Sequence, residues 1–469
     1  MAKNQKHKLT ELWQNCSMKV ATAKPNIITT TCTVTCPSCG LLCDDVLVEN
    51  NNNKIRVLKN GCAKSVSFFE QPLTNISPQI NGRPATLQQA IAHAVKLLKT
   101  SQQPLFAGLS TDVQGFRSIF NLSQKTNGTL QHMNAQSTAR NVKVLQSTGW
   151  QTTTLTEVKN RADVIVCIGT DIVSHNPRFF ERFVWMTNSD VSDAMFIDAN
   201  KRDIIYIGEK LDTKAGISPK GTPPSLLACR AVDLPEITLV LRALVADKKL
   251  KATEVAGVKI SDLQAIANKL KTAKYAVLAW VAKDLDFPHA ELTIQNIAET
   301  VAILNNTTRA AGLPLGGSDG DTSVNNANTW LSGLTLNDDA VEHDWVVWVN
   351  SLNGDKWPPA TDKPLIVIGN APPLPRYRAP SPVYGRGLLA LDAAQTPALS
   401  PSPASGRGVG ERDDATQTPD VFIPIATPGL DCSGTLFRVD SSVILPLKKI
   451  RDNNLPTLSE VVSQIEVLL

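Results

Sequence analysis

Short apolar runs alternate with amphipathic stretches along most of the chain. In residues 86–100 the apolar positions fall on one face of a helix, and Thr86 with Gln89 forms a capping-box pattern at its start. Three more stretches predict helices: 233–246, 288–304 and 458–469. Six short apolar runs predict buried strands: 104–109, 163–169, 194–198, 275–280, 345–349 and 365–369.

This alternation is typical of α/β domains built on parallel sheets. The chain has 469 residues, and a single hydrophobic core rarely grows beyond about 250 to 300 residues. We therefore expect two or three domains with separate cores.

Composition places the chain among soluble globular proteins and argues against two classes of partner. The chain is 42% hydrophobic and 19% charged, with a net charge of +4. Its Lys and Arg residues are scattered, so the sequence predicts no nucleic-acid surface. The N-terminus has no apolar core of the length that a signal peptide needs, and no run in the chain approaches the length of a membrane span. We expect a cytoplasmic protein that binds no membrane, with a flexible tail over residues 1–25.

One segment breaks the pattern in the last fifth of the chain. Residues 398–412 are rich in Pro, Ser, Gly and Arg and have few apolar side chains to pack. Near-copies of one hexapeptide flank this segment, DAAQTP at 392–397 and DATQTP at 414–419. We interpret 398–419 as a disordered surface insertion that the fold does not need. A partner-binding loop is the alternative.

Four cysteines stand close together near the beginning of the chain. Cys36, Cys39 and Cys43 share one short stretch, and Cys62 follows after a longer spacer. Each thiolate of such a set can bind one iron of a cubane, so the spacing predicts a 4Fe–4S cluster. A structural zinc ion usually takes two separated cysteine pairs, so a three-plus-one spacing suits a cluster better. A zinc site or an empty remnant of a cluster site is the alternative.

The remaining thiols lack a ligand spacing. The chain has nine cysteines, and an odd number in an intracellular protein argues against a disulfide framework. Four of them are interpreted as small structural residues: Cys16, Cys167, Cys229 and Cys432.

Several segments carry a family resemblance. They are CPSCGLLCDD at 36–45, NGCAK at 60–64, EVKNRAD at 157–163, NPR at 176–178, DVFIP at 420–424 and GTLFR at 434–438. Together they resemble the B subunit of formylmethanofuran dehydrogenase, a member of the molybdopterin oxidoreductase superfamily. The resemblance runs from about residue 31 to about residue 450.

The resemblance implies an α/β fold of the molybdopterin oxidoreductase type. It has a small N-terminal iron–sulfur-type domain and two interleaved Rossmann-like domains. The expected ranges are 26–79 for the first domain, 80–137 with 273–469 for a discontinuous second domain, and 138–272 for the middle domain.

The resemblance also implies roles for individual residues. Lys64 would lie between the cluster and a molybdopterin that carries molybdenum or tungsten. His175 and Arg178 would bind the pterin diphosphate, although their segment is also typical of an exposed loop. The glycine-rich residues 310–321 are a further candidate for phosphate contacts through their backbone amides, or an ordinary turn.

The chain departs from the catalytic members at the metal ligand. Those members carry a cysteine or selenocysteine soon after the strand that corresponds to 104–109. Val113 stands at this position, and its side chain has no electron pair to give a metal. Asp112 is the alternative ligand, because carboxylates bind the metal in some branches of the superfamily. Otherwise Asp112 is a helix-start aspartate.

The match and the departure together imply the B subunit of a formyltransferase/hydrolase complex in tetrahydromethanopterin-linked oxidation of formaldehyde to formate. The chain would be a scaffold without metal–pterin catalysis of its own. Its expected partners are a hydrolase, a formyltransferase and a subunit like the pterin-capping domain. Two alternatives stay open: a catalytic molybdenum or tungsten dehydrogenase subunit, and an iron–sulfur electron-transfer module.

Overall fold

The computed structural model describes residues 29–73, 76–187, 193–336, 342–353, 356–359, 361–371 and 418–469. The predicted tail at 1–25, with Cys16, and residues 398–417 of the predicted insertion lie outside these ranges. In the described part of the chain, no helix is long and apolar enough to cross a membrane.

The chain begins with a small antiparallel unit. It consists of β1 (Thr29–Val34), β2 (Val46–Asn51), β3 (Lys54–Lys59) and α1 (Ala63–Phe69). Strand β2 pairs with both β1 and β3. The tight turn from β2 to β3 is made by Asn52 and Asn53, both with positive φ, a conformation that asparagine tolerates well.

Three groups of elements follow in chain order. The first is β4 (Gln79–Ile80), β5 (Arg83–Pro84), α2 (Leu87–Thr100), β6 (Pro104–Ser110), α3 (Val113–Lys125), β7 (Thr129–Leu130) and α4 (Ala135–Ser147). The second is α5 (Leu155–Arg161), β8 (Val164–Ile168), β9 (Asp203–Ile207), β10 (Ser225–Leu227), α6 (Leu234–Val245), β11 (Glu254–Val255), β12 (Val258–Lys259), α7 (Ile260–Thr272), β13 (Ala276–Val281), α8 (Glu291–Leu304) and β14 (Ala310–Leu315). The third is α9 (Asp321–Ser332), β15 (Trp345–Asn350), β16 (Leu365–Gly369), β17 (Val421–Pro424), β18 (Gly434–Phe437), β19 (Ile444–Leu447) and α10 (Leu458–Leu468).

Two large sheets organise these elements. The first sheet has the order β5-β4-β17-β16-β15-β6-β7, and its strands from β17 to β7 are parallel. The second sheet is parallel throughout, with the order β10-β9-β8-β13-β14. The predicted α/β class with parallel sheets is confirmed.

Helix packing follows the predicted amphipathic faces. Helix α2 begins with the expected capping box of Thr86 and Gln89. Its apolar face packs with α3 and α10 on the first sheet, where Phe106 and Phe116 are fully buried. Helices α6, α7 and α8 cover one face of the second sheet. Burial of these stripes is what holds each helix in place, at about 25 cal/mol for each Å² of apolar surface removed from water.

Sheet pairing moves one predicted domain boundary. Strands β13 and β14 lie C-terminal to residue 273, yet they pair with β8 in the second sheet. The middle unit therefore extends to Leu315, and the chain returns to the first sheet only with β15. The boundary at 273 was wrong because a buried parallel strand has the same apolar composition whichever sheet it joins.

Two local predictions also need correction. Residues 194–198 form no strand, and Met195 and Phe196 are 73% and 60% exposed. The Phe196 ring instead stacks on the Arg161 guanidinium at 4.2 Å. Residues 310–321 are not one loop, because the first six of them are the buried strand β14. A short apolar run has too few residues to reveal its periodicity.

The connections place the functional region at the carboxyl ends of the strands. In the first sheet β7 and β15 lie on opposite sides of β6, and in the second sheet β9 and β13 lie on opposite sides of β8. Chain direction across the sheet reverses at these two points, and such points open a crevice for ligands. Asp112 follows β6, and His175 follows β8.

Candidate functional site

Three cysteines of the predicted set, Cys36, Cys39 and Cys43, lie on the connection between β1 and β2. The Cys36 amide donates to the Cys43 carbonyl at 2.9 Å, and the Leu42 amide donates to the Cys39 carbonyl at 3.2 Å. Leu42 has a φ of 45°, so the chain makes a tight reversal inside the loop. The backbone itself thus closes the loop and brings its thiols together.

Cys62 approaches this loop from the start of α1. It is the N-cap residue of that helix, and the Ser65 hydroxyl bonds to its backbone. All four predicted cysteines line one small cavity, together with Pro177 and Arg178. The grouping that the sequence predicted is therefore present in the fold.

Burial and mutual repulsion govern the protonation of these thiols. Burial, followed by the neighbouring Cys39, raises the pKa of Cys36. Burial also raises the pKa of Cys39, against which Lys64 acts. Burial raises the pKa of Cys43 to about 12, while Arg182 and Arg178 act to lower it. Three cations thus face a buried group of thiols that becomes easier to ionise when a positive ion binds.

Lys64 connects the cysteine site to a second cavity. Its Nζ donates to the His175 carbonyl at 2.8 Å, and His175 Nε2 lies 2.6 Å from Asp284 Oδ1. His175 lines a cavity of about 210 Å³. The polar side chains around it include Ser137, Asn141, Lys283, Asp321 and Asn325.

Glycines of the cysteine loop and of the loop that follows β14 are in direct contact. A Cβ on Gly40 of the cysteine loop would lie 2.7 Å from the Gly316 carbonyl oxygen. A Cβ on Gly317 would lie 2.4 Å from the Gly40 Cα. Both Gly316 and Gly317 line the second cavity. The backbones therefore approach closely only because neither loop has a side chain at the contact.

Arg178 faces the cysteine loop and not the second cavity. Its side chain is 4% exposed and binds both oxygens of Asp45, at 2.7 and 2.8 Å. It also binds Glu181 at 2.7 Å. His175 and Arg178, predicted to act on one ligand, thus point to different sites.

Asp112 is an N-cap residue covered by the chain's own C-terminal part. Its carboxylate accepts from the Gly115 and Gln114 amides at 3.0 and 3.4 Å, which caps α3. It also accepts from the Thr435 amide of β18 at 3.2 Å. A Cβ on Gly434 would lie 3.0 Å from Asp112 Oδ2, and Asp112 is 6% exposed.

Neither Val113 nor Cys432, the other two candidate residues near Asp112, supplies an electron pair for a metal there. Val113 is the first residue of α3. Cys432 lies near Asp112, a proximity that its distant sequence position concealed. Burial raises the pKa of Cys432 to about 12, and the Asp112 charge acts in the same direction. A thiol in this environment stays protonated at neutral pH.

A second set of titratable side chains, which the sequence did not reveal, lies on the loops that follow β7, β14 and β15. Asp319 forms an ion pair with Lys356 and accepts from Asn353 Nδ2 at 2.9 Å. His132 Nε2 lies 3.2 Å from the Asp319 carbonyl oxygen, and His132 Nδ1 accepts from the Asn134 amide at 3.0 Å. These residues come from three distant segments, so no local sequence motif predicts that they lie together.

The environment pushes the pKa values in this group apart. Burial lowers the pKa of His132 to about 4, which keeps the ring neutral. Lys356 and Asn353 hold the pKa of Asp319 at about 2, although its burial acts in the opposite direction. Burial and the nearby Asp319 raise the pKa of Asp321 to about 6. One carboxylate is thus firmly ionised beside another that titrates close to neutrality.

Comparison with known proteins confirms the resemblance predicted from the sequence. The chain is 23% identical over 441 residues to the B subunit of the tungsten-containing formylmethanofuran dehydrogenase 2 of Methanocaldococcus jannaschii, covering 89% of this chain and 93% of that protein. It is 24% identical over 439 residues to the protein of the same name from Methanococcus maripaludis, with the same coverage. No protein-family profile matches the chain.

Two further similarities lead to one bacterial complex. Over 90 residues, 19% of this chain and 25% of the relative, the chain is 31% identical to the B subunit of the formyltransferase/hydrolase complex Fhc of Methylorubrum extorquens. The fold is also similar to a chain in the crystal structure of the Methylorubrum extorquens complex FhcABCD with methylofuran. The TM-score is 0.61 at 20% identity, covering 84% of this chain and 98% of that one.

Proposed function

We propose that this chain is the B subunit of a formyltransferase/hydrolase complex in tetrahydromethanopterin-linked oxidation of formaldehyde to formate. It resembles the formylmethanofuran dehydrogenase B subunit over 89% of its length, and it shares its fold with a chain of the FhcABCD complex. The partners would be the hydrolase, the formyltransferase and the subunit like the pterin-capping domain. We place the complex in the cytoplasm.

The observation that carries the scaffold role is the closed environment of Asp112. A metal ligand at this position needs a free electron pair and open space in front of it. The Asp112 oxygens already accept from three backbone amides, and β18 covers the carboxylate. Val113 has no donor atom. The residues present do not fit a molybdenum or tungsten pterin at this position, and we assign no dehydrogenase step to the chain.

The cysteine site fits an iron–sulfur cluster in its donor set. Four thiols line one buried cavity, with Lys64, Arg178 and Arg182 nearby to balance negative charge. Among the residues that the structure describes, no three Cys, His, Asp or Glu side chains surround a point for one metal ion. A zinc ion requires that convergence, whereas each iron of a cubane takes only one cysteine. Cys36, Cys39, Cys43 and Cys62 would hold the cluster, which would supply one-electron transfer.

The scaffold role has a physical basis in the packing of the three units. The Gly40 contact with Gly316 and Gly317 joins the N-terminal unit to the middle unit, and Lys64 bonds across the same boundary. A rigid body of this kind holds bound subunits at fixed separations. A formyl carrier released at one active site then meets the next site at a high effective concentration.

The test is the content of iron, molybdenum, tungsten, zinc and pterin in the anaerobically purified complex. We expect about four irons per chain and neither pterin nor its metals. Cys39→Ser should lose the iron. Cys229→Ser should retain it, because Cys229 is similarly buried but lies on the opposite face of the second sheet.

The same metal and pterin contents separate the dehydrogenase and the zinc alternatives, and two activity measurements separate the electron-transfer module. Molybdenum or tungsten with pterin at about one per chain would overturn the scaffold role and make the chain a dehydrogenase subunit. Zinc without iron, at about one per chain, would overturn the cluster. A cluster that exchanges electrons with an added redox partner, in a complex that transfers no formyl group, would favour the electron-transfer module.

A further inference from the structure

Arg182 comes from a π-helical turn that lies against the cysteine loop. The turn spans Phe180–Val184, and the Trp185 amide closes it by donating to the Phe180 carbonyl at 2.8 Å. Arg178 and Arg182 stand one turn apart, and both reach the residues that follow Cys43. Such single π-helical turns occur frequently at functional sites.

Two of the three guanidinium nitrogens of Arg182 are directed at carboxylates. Its Nη2 donates to Asp44 Oδ1 at 2.7 Å, and its Nη1 lies 3.7 Å from Asp45 Oδ1. These carboxylates belong to the two residues directly after Cys43. The side chain of Arg182 is 13% exposed, so the ion pairs hold the guanidinium in a largely buried position.

The third nitrogen is left over. Arg182 Nε is buried and, within the described residues, has no hydrogen-bond acceptor. A buried N–H without a partner is destabilising, and more so in a charged group. Asp44 and Asp45, which hold this guanidinium, directly follow Cys43, so Cys43 lies beside it.

We infer that Arg182 Nε is the hydrogen-bond donor to the Cys43 thiolate when Cys43 binds a cluster iron. The inference rests on the proposed cluster. Arg182 is then a positioning residue, anchored by Asp44 and directed at one ligand sulfur. Hydrogen bonds to the sulfurs are among the factors that set the reduction potential of a cluster. A donor at Cys43 stabilises the reduced, more negative state and so raises that potential.

The experiment is a redox titration of the anaerobically purified complex, followed by the electron paramagnetic resonance signal of the reduced cluster. Dithionite supplies one electron per cluster. Arg182→Lys keeps the positive charge but has no nitrogen at the Nε position, so its midpoint potential should shift to a more negative value. Arg242→Lys is the matched control, because Arg242 pairs with Glu299 between α6 and α8, away from the cysteines.

A second variant covers the case in which Arg182→Lys does not fold. Asp44 is 57% exposed, and Asp44→Glu keeps the negative charge beside the cluster but displaces the carboxylate that anchors the guanidinium. It should shift the potential in the same direction, by less. If a variant that folds and binds iron has the wild-type midpoint potential, the inference is overturned. The proposed cluster is then unaffected. A wild-type complex that binds no iron overturns the cluster and the inference together.

Discussion

At the scale of single residues, the chain uses its charged side chains mainly to join distant segments. Asp112 is the clearest case, because its carboxylate both caps α3 and holds the backbone of β18. Arg451 and Asp431 form a buried ion pair at 2.8 Å between two loops of the C-terminal part. The aspartate that the sequence offers as an alternative metal ligand is thus occupied by structural hydrogen bonds.

The buried His132 and the partly buried Asp321 have opposite effects on stability in mildly acidic solution. The pKa of His132 falls from 6.5 to about 4 on folding, so the folded chain resists that proton and loses stability as the pH falls through this range. The pKa of Asp321 rises from 3.8 to about 6, so the folded chain favours that proton and gains stability over nearly the same range. The two effects nearly cancel in the wild-type chain.

Removing either ionisable side chain should therefore expose the pH dependence of stability that the other one causes. Relative to wild type, His132→Gln should gain free energy of unfolding between pH 6.5 and pH 4, and Asp321→Asn should lose it, each by on the order of 2 to 3 kcal/mol. Urea unfolding at several pH values measures both. Curves parallel to wild type for both variants would show that neither group titrates between the folded and unfolded states as proposed.

At the scale of elements, the contact of two glycine loops determines how the N-terminal unit meets the second sheet. Gly317 has a φ of 75° and lies directly against Gly40. Gly149 has a φ of 71° but nothing lies within 4 Å of the position of its Cβ. The two glycines therefore share the same backbone requirement and differ only in the space around them.

Alanine substitutions at Gly149 and Gly317 distinguish the cost of backbone strain from the cost of steric conflict. Gly149→Ala should lower the free energy of unfolding by about 1 kcal/mol, the cost of a left-handed alanine. Gly317→Ala should lower it by about 3 kcal/mol or more, because the added methyl meets the backbone of the cysteine loop. Denaturant unfolding measures both losses, and Gly317→Ala should also reduce iron retention. Equal losses in the two variants would mean that the loops are free to separate.

At the scale of the whole molecule, the crossing connections make one body of three units. The second sheet is inserted between β7 and β15 of the first, and the cysteine loop is packed on the loop that follows β14. The final strands return to cover Asp112 at the start of α3. This interleaving suits a subunit that holds others in fixed positions.

The predicted insertion falls between β16 and β17 in the sequence, and residues 398–417 of it lie outside the described ranges. Because duplicated hexapeptides flank 398–412 and this segment has few apolar residues, deleting 398–419 should change neither the melting temperature nor the co-purification of partner subunits. Thermal unfolding and size-exclusion chromatography of the complex give the two readouts. Loss of partners with an unchanged melting temperature would instead identify the segment as a partner-binding loop.

The α/β class, most helices and strands and the four-cysteine set follow from the amino-acid sequence alone, because these depend on residues adjacent along the chain. Periodicity marks the buried face of α2, and a short ligand spacing marks Cys36, Cys39 and Cys43. The resemblance to the dehydrogenase likewise rests on contiguous motifs.

The folded structure was needed to show which sheet receives β13 and β14, which site Arg178 faces, and what surrounds Asp112. It also brought His132, Asp319 and Lys356 together from three segments. The physical reason is common to all of these. Burial, hydrogen-bond pairing and pKa depend on atoms contributed by distant parts of the chain, and packing alone brings those atoms within a few ångströms of one another.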